Sequence, residues 1–253
     1  MSWRTVVITN RAKLDFKMNY MVVRSSQETM RVFINEIYMV IIETTAVSIT
    51  AALLSELMKK KIKVIFCDEK RNPTAELLPY YGSHDTSIKY RYQLEWDEFI
   101  KAEVWTEIIR EKIKKQSEFL EEKELIKESE LLKKYINELE MNDATNREGH
   151  SAKVYFNALF GKSFTRTDEN LINAALNYGY TIILSCFNRE IVANGYMTQL
   201  GLFHNNMFNQ FNLASDLMEP YRILIDRVVK DMDIKKFEID EKLELVNILN
   251  ESV

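Results

Sequence analysis

The scarcity of backbone breakers is the feature that most limits what this chain can fold into. Its 253 residues include only six glycines and three prolines. The prolines stand at positions 73, 79 and 220, so the 140 residues from Tyr80 to Glu219 contain none, and the first 81 residues contain no glycine. Such a sequence favours long helices, because proline disrupts helix interiors and glycine weakens them. It disfavours glycine-rich phosphate loops, and no GxGxxG fingerprint of a dinucleotide-binding fold occurs.

The N-terminal third has the patterns of β-strands. Short apolar or alternating segments, typical of strands, occur at residues 5–8, 18–24, 30–34, 37–42 and 64–67. One helix, predicted over residues 48–60, interrupts them, since Ala51, Leu54 and Leu57 recur at helical spacing. We therefore predict a small β-rich domain at the N-terminus.

The rest of the chain has the period of α-helices. From Tyr92 onward apolar residues recur every three or four positions, as in the row Trp105, Ile109 and Ile113. Further helices are predicted at about residues 146–160, 168–177, 187–200, 215–230 and 240–250. Two prolines and Gly82 cluster between the two patterns and indicate a linker. The predicted fold class is α+β, with a β-rich domain at residues 1–75, a linker at 76–91 and a larger all-α domain at 92–253.

The cellular setting follows from what the sequence does not contain. The longest uninterrupted apolar run, residues 37–42, is far below the roughly 20 residues that span a bilayer. The N-terminus lacks the pattern of a secretory signal, so we expect a cytoplasmic protein without membrane contact. Cys67 and Cys186 lie in opposite halves of the chain, and we interpret both as buried thiols.

Glu148 is a candidate functional carboxylate with two interpretations. The spacing Thr145-x-x-Glu148 fits a capping box, in which the carboxylate would only close the start of a helix. Glu148 also extends an apolar stripe formed with Ala152, Tyr155 and Leu159, and a carboxylate there needs a charged or hydrogen-bonding partner.

A second acidic pair and one histidine extend the candidate site. Asp216 and Glu219 are three residues apart, so on a helix both side chains project to the same side, although Asp-x-x-Glu-Pro also fits a simple helix start. Among the three histidines, His204 lies in a short segment between predicted helices, where it could be either a ligand or a structural residue. His84 and His150 are interpreted as surface or packing residues. Three carboxylates and one imidazole suit magnesium or manganese better than zinc.

Three segments together resemble a known family. They are residues 146–156 (NREGHSAKVYF), 201–204 (GLFH) and 213–222 (LASDLMEPYR), and residues 64–69 (VIFCDE) and 72–73 (NP) add to the likeness. In this order and spacing they resemble the CRISPR adaptation integrase, the metal-dependent subunit that inserts new spacers into a CRISPR array. The variant resembles the short form of type II systems, and the likeness covers nearly the whole chain.

The resemblance implies an architecture, a site and partners. The helical domain would be catalytic. Glu148, His204 and Glu219 would be ligands of Mg²⁺ or Mn²⁺, with Asp216 at the adjacent acidic position. Which of Asp216 and Glu219 binds the metal directly stays open. The chain would form a homodimer through its β-rich domains. A small ferredoxin-like CRISPR adaptation protein would bridge two such dimers.

The activity implied by the resemblance is a transesterification on double-stranded DNA. The 3′-hydroxyl of an incoming spacer precursor would attack a phosphodiester at the edge of a CRISPR repeat. Two alternatives remain at this point: a stand-alone metal-dependent nuclease for branched DNA, and a non-catalytic assembly scaffold in which Glu148 and Asp216 serve only as caps.

Four cations are candidates for DNA contacts because they lie close to the candidate ligands in sequence: Lys153, Lys162, Arg166 and Arg222. Each could equally be a solvated helix residue. Lys153 and Arg222 are favoured, since each follows a candidate ligand by about one helical turn. The overall charge of −4 does not exclude DNA, because local patches rather than totals attract phosphates.

Overall fold

The computed structural model describes residues 3–80 and 83–250. These residues form strands near the N-terminus and helices after them, the α+β architecture predicted from the sequence. The strands are β1 (Arg4–Ile8), β2 (Ala12–Lys17), β3 (Tyr20–Arg24), β4 (Thr29–Phe33), β5 (Ile37–Ile42), β6 (Val47–Ile49), β7 (Lys63–Cys67) and β8 (Pro73–Leu77). The helices are α1 (Ala51–Lys59), α2 (Thr86–Leu94), α3 (Glu98–Glu122), α4 (Ile126–Asn137), α5 (Arg147–Phe160), α6 (Leu171–Ala193), α7 (Asn212–Leu217), α8 (Arg222–Asp231) and α9 (Ile239–Asn247).

The strands form two four-stranded sheets that pack on each other. The first has the order β1-β5-β7-β8 and the second the order β4-β3-β2-β6. β5 pairs in parallel with β1 and β7, and its apolar run is buried on both faces, as is usual for parallel strands. Met39 and Ile41 pack against the helices, whereas Val40 and Ile42 pack against the second sheet. The first sheet is therefore the middle layer of the β-rich part.

Helix α6 joins the helical part to this middle layer. Apolar residues of α6 share one cluster with Ile41 and Ile65 of the first sheet. A buried polar link accompanies it, since the fully buried Glu43 accepts hydrogen bonds from Tyr178 at 3.1 Å and from Arg71 at 3.2 Å. The domain boundaries at residues 75 and 92 stay a prediction.

Three short strands were not predicted. In β2, Ala12, Leu14 and Phe16 alternate with charged residues, which is the pattern of a half-buried strand. β6 has only three residues. β8 begins at Pro73 and lies at the edge of the first sheet, where a strand tolerates proline because no ladder hydrogen bond is lost.

The prediction of two helices at residues 168–177 and 187–200 was wrong. A single helix, α6, runs through this region. Its residues 178–186 are weak helix formers, but their apolar side chains are buried against the first sheet and α8, and this packing outweighs local propensity. The predicted helix at 215–230 is interrupted. α7 ends at Leu217 and a 3₁₀ turn, Glu219–Tyr221, precedes α8, because Pro220 supplies no backbone N–H.

Membrane contact and thiol reactivity depend on the helices and the two cysteines of the described residues. Among their helices none combines the length and the apolarity that a bilayer crossing requires. Both cysteines are free; Cys67 is buried and Cys186 is partly buried. Burial raises the pKa of each thiol to about 12, which makes both poor nucleophiles.

We predict that Gly179→Ala lowers the free energy of unfolding. A Cβ at position 179 would lie 2.5 Å from Cγ2 and 2.8 Å from Cδ1 of Ile225, so α6 and α8 would have to separate. Overpacking of this kind costs about 1–3 kcal/mol. Urea denaturation of the two proteins measures the difference.

Gly149→Ala is the matched control within another helix. The three heavy atoms nearest to its Cβ would all belong to the side chain of exposed Asn146, which can move, and alanine gains about 0.5–1 kcal/mol over glycine in a helix. The control should be neutral or more stable than the wild type. Equal destabilisation by both substitutions would contradict the packing argument.

Candidate active site

Helix α3 carries one buried face on which the candidate site is built. Trp105, Ile109, Lys112 and Gln116 are all buried, and their spacing of three or four residues aligns them along that face. A lysine and a glutamine within such a stripe are unusual, because buried polar groups need partners. The partners of Lys112 come from two other elements.

The ammonium of Lys112 lies between two of the predicted site residues. Its Nζ is 2.6 Å from Oε1 of Glu148 and 2.6 Å from Oε2 of Glu219. Burial alone would lower the pKa of Lys112, but the two carboxylates outweigh burial and raise it. The structure thus brings Glu148 and Glu219 together around one cation.

The start of α5 positions Glu148. The carboxylate of Asp143 accepts hydrogen bonds from the backbone N–H groups of Arg147 at 2.6 Å and Glu148 at 3.0 Å, and so caps the helix. The hydroxyl of Thr145 instead donates to the carbonyl of Glu138. The capping-box interpretation of Glu148 is therefore wrong, and its carboxylate faces Lys112.

Glu219 is held by cations on both oxygens. Besides Lys112 at Oε2, the guanidinium of Arg222 contacts Oε1 through Nε and Nη2, each at 2.9 Å. The Glu219 side chain is only 4% exposed, and burial alone would raise its pKa. The two cations outweigh burial and lower the pKa of Glu219 to about 2, so this carboxylate is ionised at neutral pH.

Asp216 organises the loop that carries His204. It is fully buried near the end of α7, and its carboxylate accepts backbone N–H bonds from Leu202 at 2.6 Å, Phe203 at 3.1 Å and His204 at 3.1 Å. Its Oδ1 also lies 2.5 Å from Nδ1 of His204. Asp216 therefore holds the loop. The alternative interpretation, in which Asp216 only starts a helix, is wrong.

The loop approaches Asp216 so closely that only glycine fits at position 201. A Cβ there would lie 2.5 Å from the carbonyl oxygen of His204 and 2.6 Å from Oδ2 of Asp216. Such distances are below van der Waals contact, so any side chain would displace the loop. Gly201 is thus required for the Asp216–His204 contact.

The imidazole of His204 rests on aromatic side chains. It makes an edge contact with Trp105 at a centroid distance of 5.7 Å, and Phe203 stacks on the same indole at 4.5 Å. The hydrogen bond to Asp216 raises the pKa of His204; the charges of Glu219 and Glu148 add to this, and burial opposes it. His204 is therefore within electrostatic reach of both carboxylates. The two other histidines, His84 and His150, are exposed.

A small cavity of about 180 Å³ adjoins the two glutamates. Its lining also includes Arg166, Arg222 and the buried Asp226. Asp226 accepts hydrogen bonds from the hydroxyls of Tyr155 and Tyr180. Burial raises the pKa of Asp226 to about 6, although these hydrogen bonds oppose the shift.

The four predicted DNA-binding cations separate into two groups. Arg166 and Arg222 line the cavity; Arg166 donates to Asn173 and Asn177, and Arg222 binds Glu219. Lys153 and Lys162 are exposed, and the side chain of neither makes a hydrogen bond or ion pair within the described residues. Five residues at 100° each place Lys153 about 140° around α5 from Glu148.

The donor chemistry of the site suits a hard divalent cation. Two carboxylates and one imidazole are ligands that Mg²⁺ and Mn²⁺ accept. In the described residues, however, no three acidic, histidine or cysteine side chains already converge on one point. The carboxylates of Glu148 and Glu219 meet at the Lys112 ammonium, and Nδ1 of His204 is engaged by Asp216. The residue types therefore fit the metal, with Lys112 between two of them.

Sequence reasoning missed Lys112 and Asp143. Lys112 stands three residues after Ile109 and seven after Trp105, so it falls on the predicted apolar face of α3. A lysine on that face was a usable signal. No sequence signal pointed to Asp143. It caps α5 through an irregular turn, in which Asn142, Asp143 and Asn146 have positive φ angles between 51° and 59°, so its spacing from the helix start is not that of an ordinary N-cap.

Comparison with known protein families matches residues 5–244 to the family described as CRISPR associated protein Cas1. A relative from Neisseria meningitidis serogroup C (strain 8013), named CRISPR-associated endonuclease Cas1, is 36% identical over 229 residues. The alignment covers 90% of this chain and 75% of the relative.

Solved structures share the fold. A Cas1 protein from Thermotoga maritima has a TM-score of 0.79 at 16% identity, covering 97% of this chain and 88% of that chain. A casposase bound to integration product has a TM-score of 0.74 at 18% identity, and the match covers 98% of this chain and 82% of the casposase chain. A chain of a Cas6-RT-Cas1–Cas2 complex has a TM-score of 0.73 at 18% identity, and the match covers 98% of this chain and 32% of that chain. At these identities the likeness concerns the fold alone.

We predict that Asp226 makes stability depend on pH. Its pKa of about 6 exceeds the value of about 3.9 expected in the unfolded chain. Between these values the folded protein holds a proton that the unfolded chain has released, so stability falls as pH rises, by up to about 1.4 kcal/mol per pH unit.

Urea denaturation of the wild type and of Asp226→Asn from pH 4 to pH 7 (about the window of the shift) tests this. The stability of the wild type relative to the variant should decline up to about pH 6 and then level off, because the other titrating groups cancel in the difference. A difference that does not vary with pH would contradict the prediction.

Proposed function

This chain belongs to the Cas1 family of CRISPR-associated proteins, and from that premise we propose that it integrates new spacer DNA into a CRISPR array. The observation that carries the proposal is the convergence of Glu148 and Glu219 on one cation beside the Asp216–His204 pair. Carboxylate and imidazole side chains in one place can bind the divalent metal that assists phosphoryl transfer. The structural likeness to a casposase bound to integration product supports the joining reaction.

Glu148, Glu219 and His204 are our candidates for direct ligands of Mg²⁺ or Mn²⁺. Asp216 engages Nδ1 of His204, which leaves Nε2 as the ligating nitrogen and makes Asp216 the residue that orients the ring. Both oxygens of Asp216 already accept hydrogen bonds, which favours Glu219 as the direct acidic ligand. The ion, when bound, supplies Lewis-acid stabilisation of the charge that grows on the attacked phosphate.

The proposed reaction exchanges one phosphodiester bond for another. The 3′-oxygen of the incoming duplex forms a bond to the phosphorus at the repeat edge and loses its proton. The bond from that phosphorus to the 3′-oxygen of the repeat strand breaks, and the departing oxygen takes up a proton. No covalent intermediate with the protein forms, so the side chains bind and orient the two DNA ends.

We propose DNA and a second CRISPR protein as partners. The fold is shared with a chain of a Cas6-RT-Cas1–Cas2 complex, which supports a second CRISPR protein as a partner. Our proposal is that this partner is a small ferredoxin-like protein and that it bridges two dimers. Dimerisation through the β-rich part is supported by exposed apolar side chains on and beside the second sheet, namely Met18, Tyr20 and Met30.

We predict that Glu148→Ala abolishes strand joining while the homodimer persists. The substitution removes a proposed ligand from the first turn of α5, where its carboxylate is partly exposed and not needed for the cap. The measurement is joining of short duplexes into repeat-bearing DNA with the partner protein and Mn²⁺ or Mg²⁺, together with size-exclusion chromatography.

Glu118→Ala, an exposed position on α3, is the matched control and should join normally. Undiminished joining by Glu148→Ala would overturn the proposed site. Cleavage of branched DNA without any joining would instead favour a stand-alone nuclease.

We predict that Lys153→Gln and Lys162→Gln each weaken DNA binding through phosphate contacts. Each substitution should reduce the slope of log affinity against log salt by about 1. Fluorescence anisotropy with a labelled duplex at several salt concentrations measures the slope. Lys235→Gln, an exposed lysine paired with Asp233, should leave it unchanged. A slope that is the same in all four proteins would exclude both lysines from the DNA interface.

A further inference from the structure

Lys112 occupies the position at which a cation satisfies both glutamates. Its Nζ is 2.6 Å from an oxygen of Glu148 and 2.6 Å from an oxygen of Glu219, and the side chain is only 10% exposed. Nothing in the proposed reaction requires a lysine at this point. Its role therefore needs an explanation of its own.

The charges around Glu148 and Glu219 already balance. Lys112 and Arg222 supply two positive charges for the two carboxylates. A divalent ion added to this arrangement would face two cations in a partly buried site, where repulsion is weakly screened. The ion can use the same carboxylate oxygens only if one of these cations leaves.

Lys112 has a place to move. Gln116, one turn further along the same face of α3, is 4% exposed, and its Oε1 is a buried acceptor without a hydrogen-bond partner in the described part of the chain. Both residues line the cavity of about 180 Å³ beside the glutamates. A lysine side chain has four flexible carbon bonds, and side chains four residues apart in a helix are neighbours. Arg222, by contrast, is fixed to Glu219 through two nitrogens.

We propose that Lys112 competes with the divalent metal for Glu148 and Glu219, and that the metal binds when the ammonium moves toward Gln116. This inference rests on the proposed metal site and adds its regulation. A DNA phosphate that enters beside Glu148, the more exposed of the two carboxylates, would attract the displaced ammonium. Metal and DNA would then bind cooperatively, and free protein would hold the metal weakly.

The test measures Mn²⁺ affinity directly, from the electron paramagnetic resonance signal of the free ion at constant ionic strength. Lys112→Met should bind Mn²⁺ more tightly than the wild type in the absence of DNA, by about 5- to 150-fold, the usual span of coupling between two binding events. Lys112→Gln is a second variant that keeps a hydrogen-bond donor if the methionine protein does not fold. Lys114→Met, an exposed lysine on the same helix, is the control and should match the wild type.

Gln116→Leu provides an independent arm. In the wild-type background it removes the acceptor for the displaced ammonium and should weaken Mn²⁺ binding. In the Lys112→Met background it should have no effect, because no ammonium needs that acceptor. An equal effect in both backgrounds would overturn the role of Gln116.

The DNA arm uses a duplex with 3′-dideoxy ends, so that no joining can occur. This duplex should tighten Mn²⁺ binding more in the wild type than in Lys112→Met. Equal tightening in the two proteins would overturn the coupling.

The outcomes separate this inference from the proposed function. Equal or weaker Mn²⁺ binding by both Lys112 variants, with joining by the wild type intact, overturns only the competition. Absence of Mn²⁺ binding by the wild type and by both Lys112 variants, with and without DNA, overturns the metal site, and with it the proposed function and the inference together.

Discussion

The charge neutralisation of Glu219 is the constraint on which the rest of the site depends. This carboxylate is almost fully buried, and its two oxygens are held by Lys112 from α3 and by Arg222 from the first turn of α8. Lys112 in turn holds Glu148 at the start of α5. Breaking a buried ion pair by removing one partner is strongly destabilising, since the other charge stays buried. Three elements distant in sequence are therefore fixed to one another by a few charged atoms.

Helix α3 gives the site its spacing. Trp105 supports His204, and Lys112 supports the two glutamates seven residues later on the same face. Seven residues correspond to two turns, or about 10 Å along the helix axis. A rigid helix therefore sets the distance between His204 and the two carboxylates. The flanking loop contributes little freedom, because Asp216 ties down three of its backbone N–H groups.

Much of the fold and of the candidate site could be predicted from the sequence, the strands from apolar runs and the site residues from the family resemblance. The strong apolar runs, such as residues 37–42, predicted strands, although not their arrangement in two sheets. The resemblance grouped Glu148, His204, Asp216 and Glu219 as candidate site residues. The resemblance could not say how these residues meet, because that depends on Lys112. The position of Lys112 on the apolar face of α3 signals a buried lysine, but it does not reveal which carboxylates are its partners. The break assumed within α6 failed for a related reason. Gly179 marks contact with Ile225, which is a tertiary fact that local propensity does not record.

Gly201 shows that a residue without a side chain can be as demanding as a ligand. The space that its missing Cβ would take is filled by a carbonyl of the histidine loop and by the carboxylate that orients the ring. In a library of all single substitutions, position 201 should therefore tolerate replacement as poorly as the acidic positions of the candidate site, although it contributes no functional group. Any redesign of this protein would have to treat that empty volume as part of the candidate site and leave it untouched.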